Sequence, residues 1–185
     1  MSTPNGFCKT RSTLQSAGFT LVELLIVVAV IGIVSAISVP AMLRARRTGN
    51  EASAIGSLRA LNSAQTSYAA AAAKGGFSPT LATLAAACPG SSVGFISPDL
   101  STDPSVKSGY TITMAASASS SPGPNDCNGV PSETAYYVTA VPVSAGLSGL
   151  RAFASTGAGT IFFDQLGIAP TEAQMAPGGG GMTIQ

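Results

Sequence analysis

From Phe19 to Pro40 the chain runs 22 residues with a single charged side chain, Glu23, and no other stretch limits the possible folds so severely. At about 1.5 Å per residue an ideal helix over this run is roughly 33 Å long, enough to cross a hydrocarbon layer of about 30 Å. A membrane-crossing helix is the first expectation. Glu23 is the fifth residue of the run, where a lone ionised carboxylate in lipid costs on the order of 2.5–3.5 kcal/mol. A plain anchor has no use for such a residue, so the run is expected to do more than anchor.

The remainder of the 185 residues leaves room for one modest domain. Charged residues make up 9% of the chain, against about 25% in ordinary globular proteins. No basic face is available for a phosphate backbone, so no nucleic-acid partner is expected. Histidine is absent, which removes the Ser-His-Asp and Cys-His arrangements and every His-based metal site. A hydrolase built on serine and lysine would depend on Lys74 or Lys107, and no Ser-x-x-Lys motif is present. The expectation is a protein that is not an enzyme, with no catalytic residue, cofactor or metal.

Residues 1–18 are polar, carry Lys9 and Arg11 without an acid, and end in Ser16-Ala17-Gly18 against the apolar run. They read as a targeting leader. An ordinary secretory signal would instead be cut after its apolar core, where Val34-Ser35-Ala36 offers small residues. The overlong leader and Glu23 argue against that alternative. Cys8 falls in the leader, and removing it leaves Cys88 and Cys127, which read as a disulfide formed in an oxidising compartment, the alternative being two buried thiols. A bridge over a loop of that length would stabilise the fold by about 4 kcal/mol in the entropic account. Positive flanks do not orient the span, because Lys9 and Arg11 precede it while Arg44, Arg46 and Arg47 follow.

The block Gly18-Phe19-Thr20-Leu21-Val22-Glu23 resembles the processing motif of type IV prepilins and their pseudopilin relatives. The resemblance implies cleavage between Gly18 and Phe19 by a prepilin peptidase and methyltransferase, N-methylation of Phe19, and a register role for Glu23. It likewise implies helix-bending positions at Gly32 and Pro40. The implied product is a structural subunit of a type IV pilus, a helical homo-oligomer that polymerises through the apolar helix. Its implied partners are the processing enzyme, the membrane and an inner-membrane assembly platform. The precursor would be a single-pass inner-membrane protein and the assembled filament extracellular, serving adhesion or motility. The alternatives are a pseudopilin of a type II secretion system and a single-span anchored binding domain. Major pseudopilins usually hold calcium with several C-terminal acids, whereas only Asp164 and Glu172 follow Glu133 here.

Past Pro40 the positions Ile55, Leu58, Leu61, Gln65 and Tyr68 recur at three to four residues, with Asn50, Glu51, Ser57 and Arg59 on other faces. The spacing predicts an amphipathic continuation of the helix over 41–74, ending at Gly75-Gly76. Prolines punctuate a connecting region over 75–109, with a short helix at Thr80–Ala87. Alternation then predicts strands at Tyr110–Met114, Ala135–Val143, Arg151–Ser155 and Thr160–Asp164, with a Ser/Pro/Gly-rich loop over Ala115–Gly129. These make an antiparallel head over 110–169 with one face on the helix, followed by a loose tail over 170–185. The expected fold class is α+β, one long N-terminal helix packed on a sheet of three or four strands, an order that resembles the pilin fold.

Overall fold

The computed structural model describes residues 18–184, so the expected leader, apart from Gly18, lies outside the described residues. The chain divides into two units, one ending at Pro40 and one beginning at Ala41. A single helix, α1 (Leu21–Ala71), carries residues of both and contains Pro40.

In the first unit every described side chain is exposed, including Leu21 at 79% and Ile37 at 74%. Among its described residues no apolar core exists to drive folding. The backbone instead satisfies its own polar groups along the helix, which is the arrangement a hydrocarbon solvent demands. Pro40 has no N–H to give the carbonyl of Ala36, yet the helical assignment continues across it.

The second unit is an α+β head. Residues 41–71 of α1 bury Glu51, Ala54, Leu58, Leu61, Gln65 and Tyr68 at alternating steps of three and four, the stripe of an amphipathic helix. Ser57 is buried as well. Glu51 and Ser57, read from sequence as outward, therefore face inward, and each has a polar reason. The Ser57 hydroxyl donates to the Ser53 carbonyl, and Glu51 is bonded to Arg151. The helix ends where Lys74 and Gly75 take positive φ and the Gly75 N–H reaches back to the Ala69 carbonyl at 2.8 Å, a glycine stop.

A six-stranded antiparallel sheet covers that helical face in the order β1-β2-β5-β6-β7-β8. Its main strands are β2 (Tyr110–Ala116), β5 (Tyr136–Pro142), β6 (Ala152–Thr156) and β7 (Ile161–Asp164), the four that alternation predicts. The sheet exceeds the expected three or four strands through two short edges, β1 (Ser105–Lys107) and β8 (Met182–Thr183). Strand β2 pairs with β5 from Tyr110↔Pro142 to Ala116↔Tyr136. This register puts Tyr110, Ile112 and Met114 in one core with Val138, Phe153, Leu58 and Leu61.

The stretch expected as a loop over Ala115–Gly129 contains β3 (Pro122–Asn125), which pairs with β4 (Pro131–Glu133) in a separate two-stranded sheet. Prolines at 122, 124 and 131 limit this ladder, since each lacks a donor. Between the two strands lies Cys127, joined to Cys88 with Cα atoms 5.5 Å apart and a sequence separation of 39. The bridge ties this hairpin to the segment after α2 (Leu81–Ala85). Residues 170–184 hold a capped turn, α3 (Glu172–Met175), as well as β8.

Candidate functional site

Gly18, Phe19 and Thr20 precede α1 without regular structure, and Phe19 is 75% exposed. Thr20 caps the helix. Its hydroxyl accepts from the Glu23 N–H at 3.2 Å, while the Thr20 N–H and hydroxyl both donate to Glu23 Oε2, at 3.3 and 2.9 Å. This reciprocal pattern is a capping box, and it satisfies backbone donors that have no partner inside the helix. A negative charge at this end also faces the positive end of the helix dipole. Among the described residues Glu23 Oε1 has no hydrogen-bond donor, so the carboxylate is oriented by its own chain and still has one oxygen to offer.

Thr20 was not singled out from the sequence, although Thr-x-x-Glu ahead of an apolar run is the signal that finds such a box. The other residues of interest are spread along the chain. By helical rise, Gly32 lies roughly 13 Å and Pro40 roughly 25 Å beyond Glu23. A Cβ built at Gly32 would meet nothing within 4 Å, so packing inside this chain does not require a glycine there. Cys88 and Cys127 lie in the head. Lys107, considered for hydrolysis, pairs with Asp99 at 2.6 Å. Among the described residues no group of three or more His, Cys, Asp or Glu could hold a metal.

Inside the head, Glu51 ties the helix to the sheet. Its Oε1 accepts from the Leu150 and Arg151 N–H groups at 2.9 and 3.3 Å, and Oε2 accepts from Arg151 Nε at 2.8 Å. The Arg151 guanidinium also covers the rings of Phe153 and Phe163 at 5.5 and 5.4 Å. Burial opposes ionisation of Glu51. The bonds from Leu150 and Arg151 outweigh it and leave the carboxyl below its ordinary value.

An exposed apolar helix with a capped acid at its start, joined to a stapled α+β head, defines a subunit whose most hydrophobic surface is kept for something outside its own fold. Comparison with known proteins finds similarity over part of the chain. Residues 14–39 match the prokaryotic N-terminal methylation motif. Over 54 residues the chain is 43% identical to the type IV major pilin protein PilA of Myxococcus xanthus (strain DK1622), covering 29% of this chain and 24% of that protein. The chain thus spans about a quarter of the length of this curated relative. No solved structure matches. The chain thus carries a prokaryotic N-terminal methylation motif and is similar over part of its length to a type IV major pilin.

Proposed function

We propose that the chain is the structural subunit of a type IV pilus, made as a single-pass inner-membrane precursor and extracted into an extracellular helical homo-oligomer. A prepilin peptidase and methyltransferase would cut between Gly18 and Phe19 and methylate the new amine. That bond lies ahead of the Thr20 cap and outside the helix, where a peptidase can take it in extended form. An inner-membrane assembly platform would then move the subunit.

The observation that carries this reading is Glu23, a carboxylate held in place at the head of an otherwise uncharged helical segment, up to Pro40, whose side chains are all exposed. Cleavage creates a cationic amine at Phe19, and methylation preserves its charge. If neighbouring helices are offset along their axes, the Glu23 of one meets the amine of the next. At about 4 Å such a pair is worth about 4 kcal/mol at an effective dielectric near 20, as large as the cost of leaving the acid alone in lipid. Gly32 and Pro40 are the positions where the helix would bend within the filament. A pilus is favoured over a secretion pseudopilus because Asp164 and Glu172 are committed to Leu166 and to Ser117 and Ala118, rather than grouped for calcium.

Mass spectrometry of sheared surface filaments tests the reading. The expected N-terminus is methylated Phe19, and an intact Met1 or a cut after Ala36 would overturn it. Glu23→Ala should leave membrane insertion intact or improved and abolish normal assembly. Wild-type yields of filament from that variant alone would remove the amine-pairing role.

A further inference from the structure

One end of the head exposes apolar side chains that none of the described residues covers. Leu147 (69% exposed) and Leu150 lie on the β5–β6 connection, and Leu166 (77%) and Ile168 lie after β7. The two loops are neighbours, since a Cβ on Gly167 would approach the Leu150 carbonyl at 3.2 Å. The β5–β6 loop is fixed to α1 by Asn50, whose amide donates to the Ser148 carbonyl at 2.8 Å, and by Glu51.

Arg47 lies three and four residues before Asn50 and Glu51 and therefore on the same helical face, with Arg44 one turn earlier. These cations have no carboxylate: the ion pairs among the described residues are Lys107–Asp99 and Arg151–Glu51. Arg47 Nε is shielded and without a partner. Each of the eight Asp and Glu side chains accepts a bond or ion pair from a group other than these two arginines. This end of the head therefore carries positive charge that is not paired among the described residues.

We infer that this end of the head docks on an anionic lipid surface before assembly, with Arg44 and Arg47 on headgroup phosphates and Leu147, Leu150, Leu166 and Ile168 among the headgroups and upper acyl chains. Two features favour lipid as the occupant. Only Ala41-Met42-Leu43 separate Arg44 from the end of the apolar run at Pro40, a juxtamembrane position where cations are attracted to anionic lipid. Apolar side chains flanked by arginine are also the composition of interfacial binding surfaces. The docking would hold the stored subunit against the bilayer and would have to be released on extraction. It rests on the spanning role of α1 in the proposed function.

The chain has no tryptophan, so Leu147→Trp supplies a unique fluorophore at a site open enough to accept it. The full chain is reconstituted in phosphatidylcholine vesicles with and without phosphatidylglycerol, using brominated acyl chains as quenchers. The expected result is blue-shifted, bromine-quenched emission only with phosphatidylglycerol, lost at high salt. Arg44→Gln with Arg47→Gln should lower the docked-to-free ratio by about 25-fold, at about fivefold for each arginine near an anionic surface. Arg44→Lys with Arg47→Lys should restore most of it. Water-like emission in both vesicle types overturns the inference. So does a shift that ignores lipid charge and grows with protein-to-lipid ratio, which would mean a second copy covers the patch. Carbonate extraction separates the two readings: release of the chain refutes the spanning helix, whereas retention with water-like emission refutes the docking alone.

Discussion

Glu51→Ala is the perturbation that best tests how the helix is seated in the head. The change removes an acceptor shared by the Leu150 and Arg151 N–H groups and the partner of the Arg151 guanidinium. Both bonds are part-buried, and a donor stranded there costs up to about 1–3 kcal/mol. The guanidinium is 37% exposed and water can reach it, so its share is discounted to about 1 kcal/mol or less. The expected loss is about 3 kcal/mol, because the two backbone donors dominate. Glu51→Gln keeps an amide oxygen for those donors and should lose only about 1 kcal/mol.

The assay is urea unfolding of the full chain in detergent micelles, followed by near-ultraviolet circular dichroism of the tyrosines. With a slope near 2 kcal/mol per molar urea, the alanine variant's midpoint should fall by about 1.5 M. The pH dependence gives an independent check. Because the folded carboxyl lies below its ordinary value, its contribution is complete above about pH 4.3 and is lost as pH falls through the lower folded value. Glu51→Gln should remove that part of the acid limb. A loss under about 0.5 kcal/mol for the alanine variant would show that the donors find water, and the seating argument would fail. Equal losses in both variants would assign the effect to charge instead.

Reducing the Cys88–Cys127 bridge, or replacing both cysteines with serine, should cost about 4 kcal/mol for a loop of this length. The readout is the same unfolding curve, and an unchanged midpoint would contradict the stapling role. Absorbance titration at alkaline pH should show no tyrosinate step at the ordinary value near 10. Burial raises all four tyrosines, Tyr136 to about 12 and Tyr68, Tyr110 and Tyr137 upward too. A raised folded value means that their neutral forms support the fold up to about pH 10 and that this support is lost as pH climbs through the folded values. Ionisation should therefore coincide with unfolding.

Much of the architecture is legible because its physics is periodic. The helix beyond Pro40 and the four main strands declare themselves through periods of three to four or of two, and burial follows most of those positions. What escaped was set by partners distant in sequence. Glu51 looked outward because acids usually do, and only Leu150 and Arg151, about a hundred residues later, make burial affordable. The edges β1 and β8 have three and two residues, too few for a pattern, and they exist because β2 and β7 offer unpaired backbone. In the β3–β4 hairpin the prolines argue locally against a ladder that pairing at Pro122↔Glu133 and Asn125↔Pro131 still permits.

At the candidate site the capping box changes what an acid in the apolar run implies. An unpartnered carboxylate would cost about 2.5–3.5 kcal/mol in lipid. The Thr20 cap offsets about 1 kcal/mol of this, and the helix dipole a further 0.3–1 kcal/mol. The residue left over is on the order of 1–2 kcal/mol, small enough for a precursor to wait in the membrane without misfolding. In the proposed filament the methylated amine of a neighbour would add about 4 kcal/mol, and it need not displace Thr20, because Oε2 takes the cap while Oε1 is open. The same bonds that make Glu23 tolerable in isolation also aim it, so the cap lowers the cost of storage without removing the incentive to assemble.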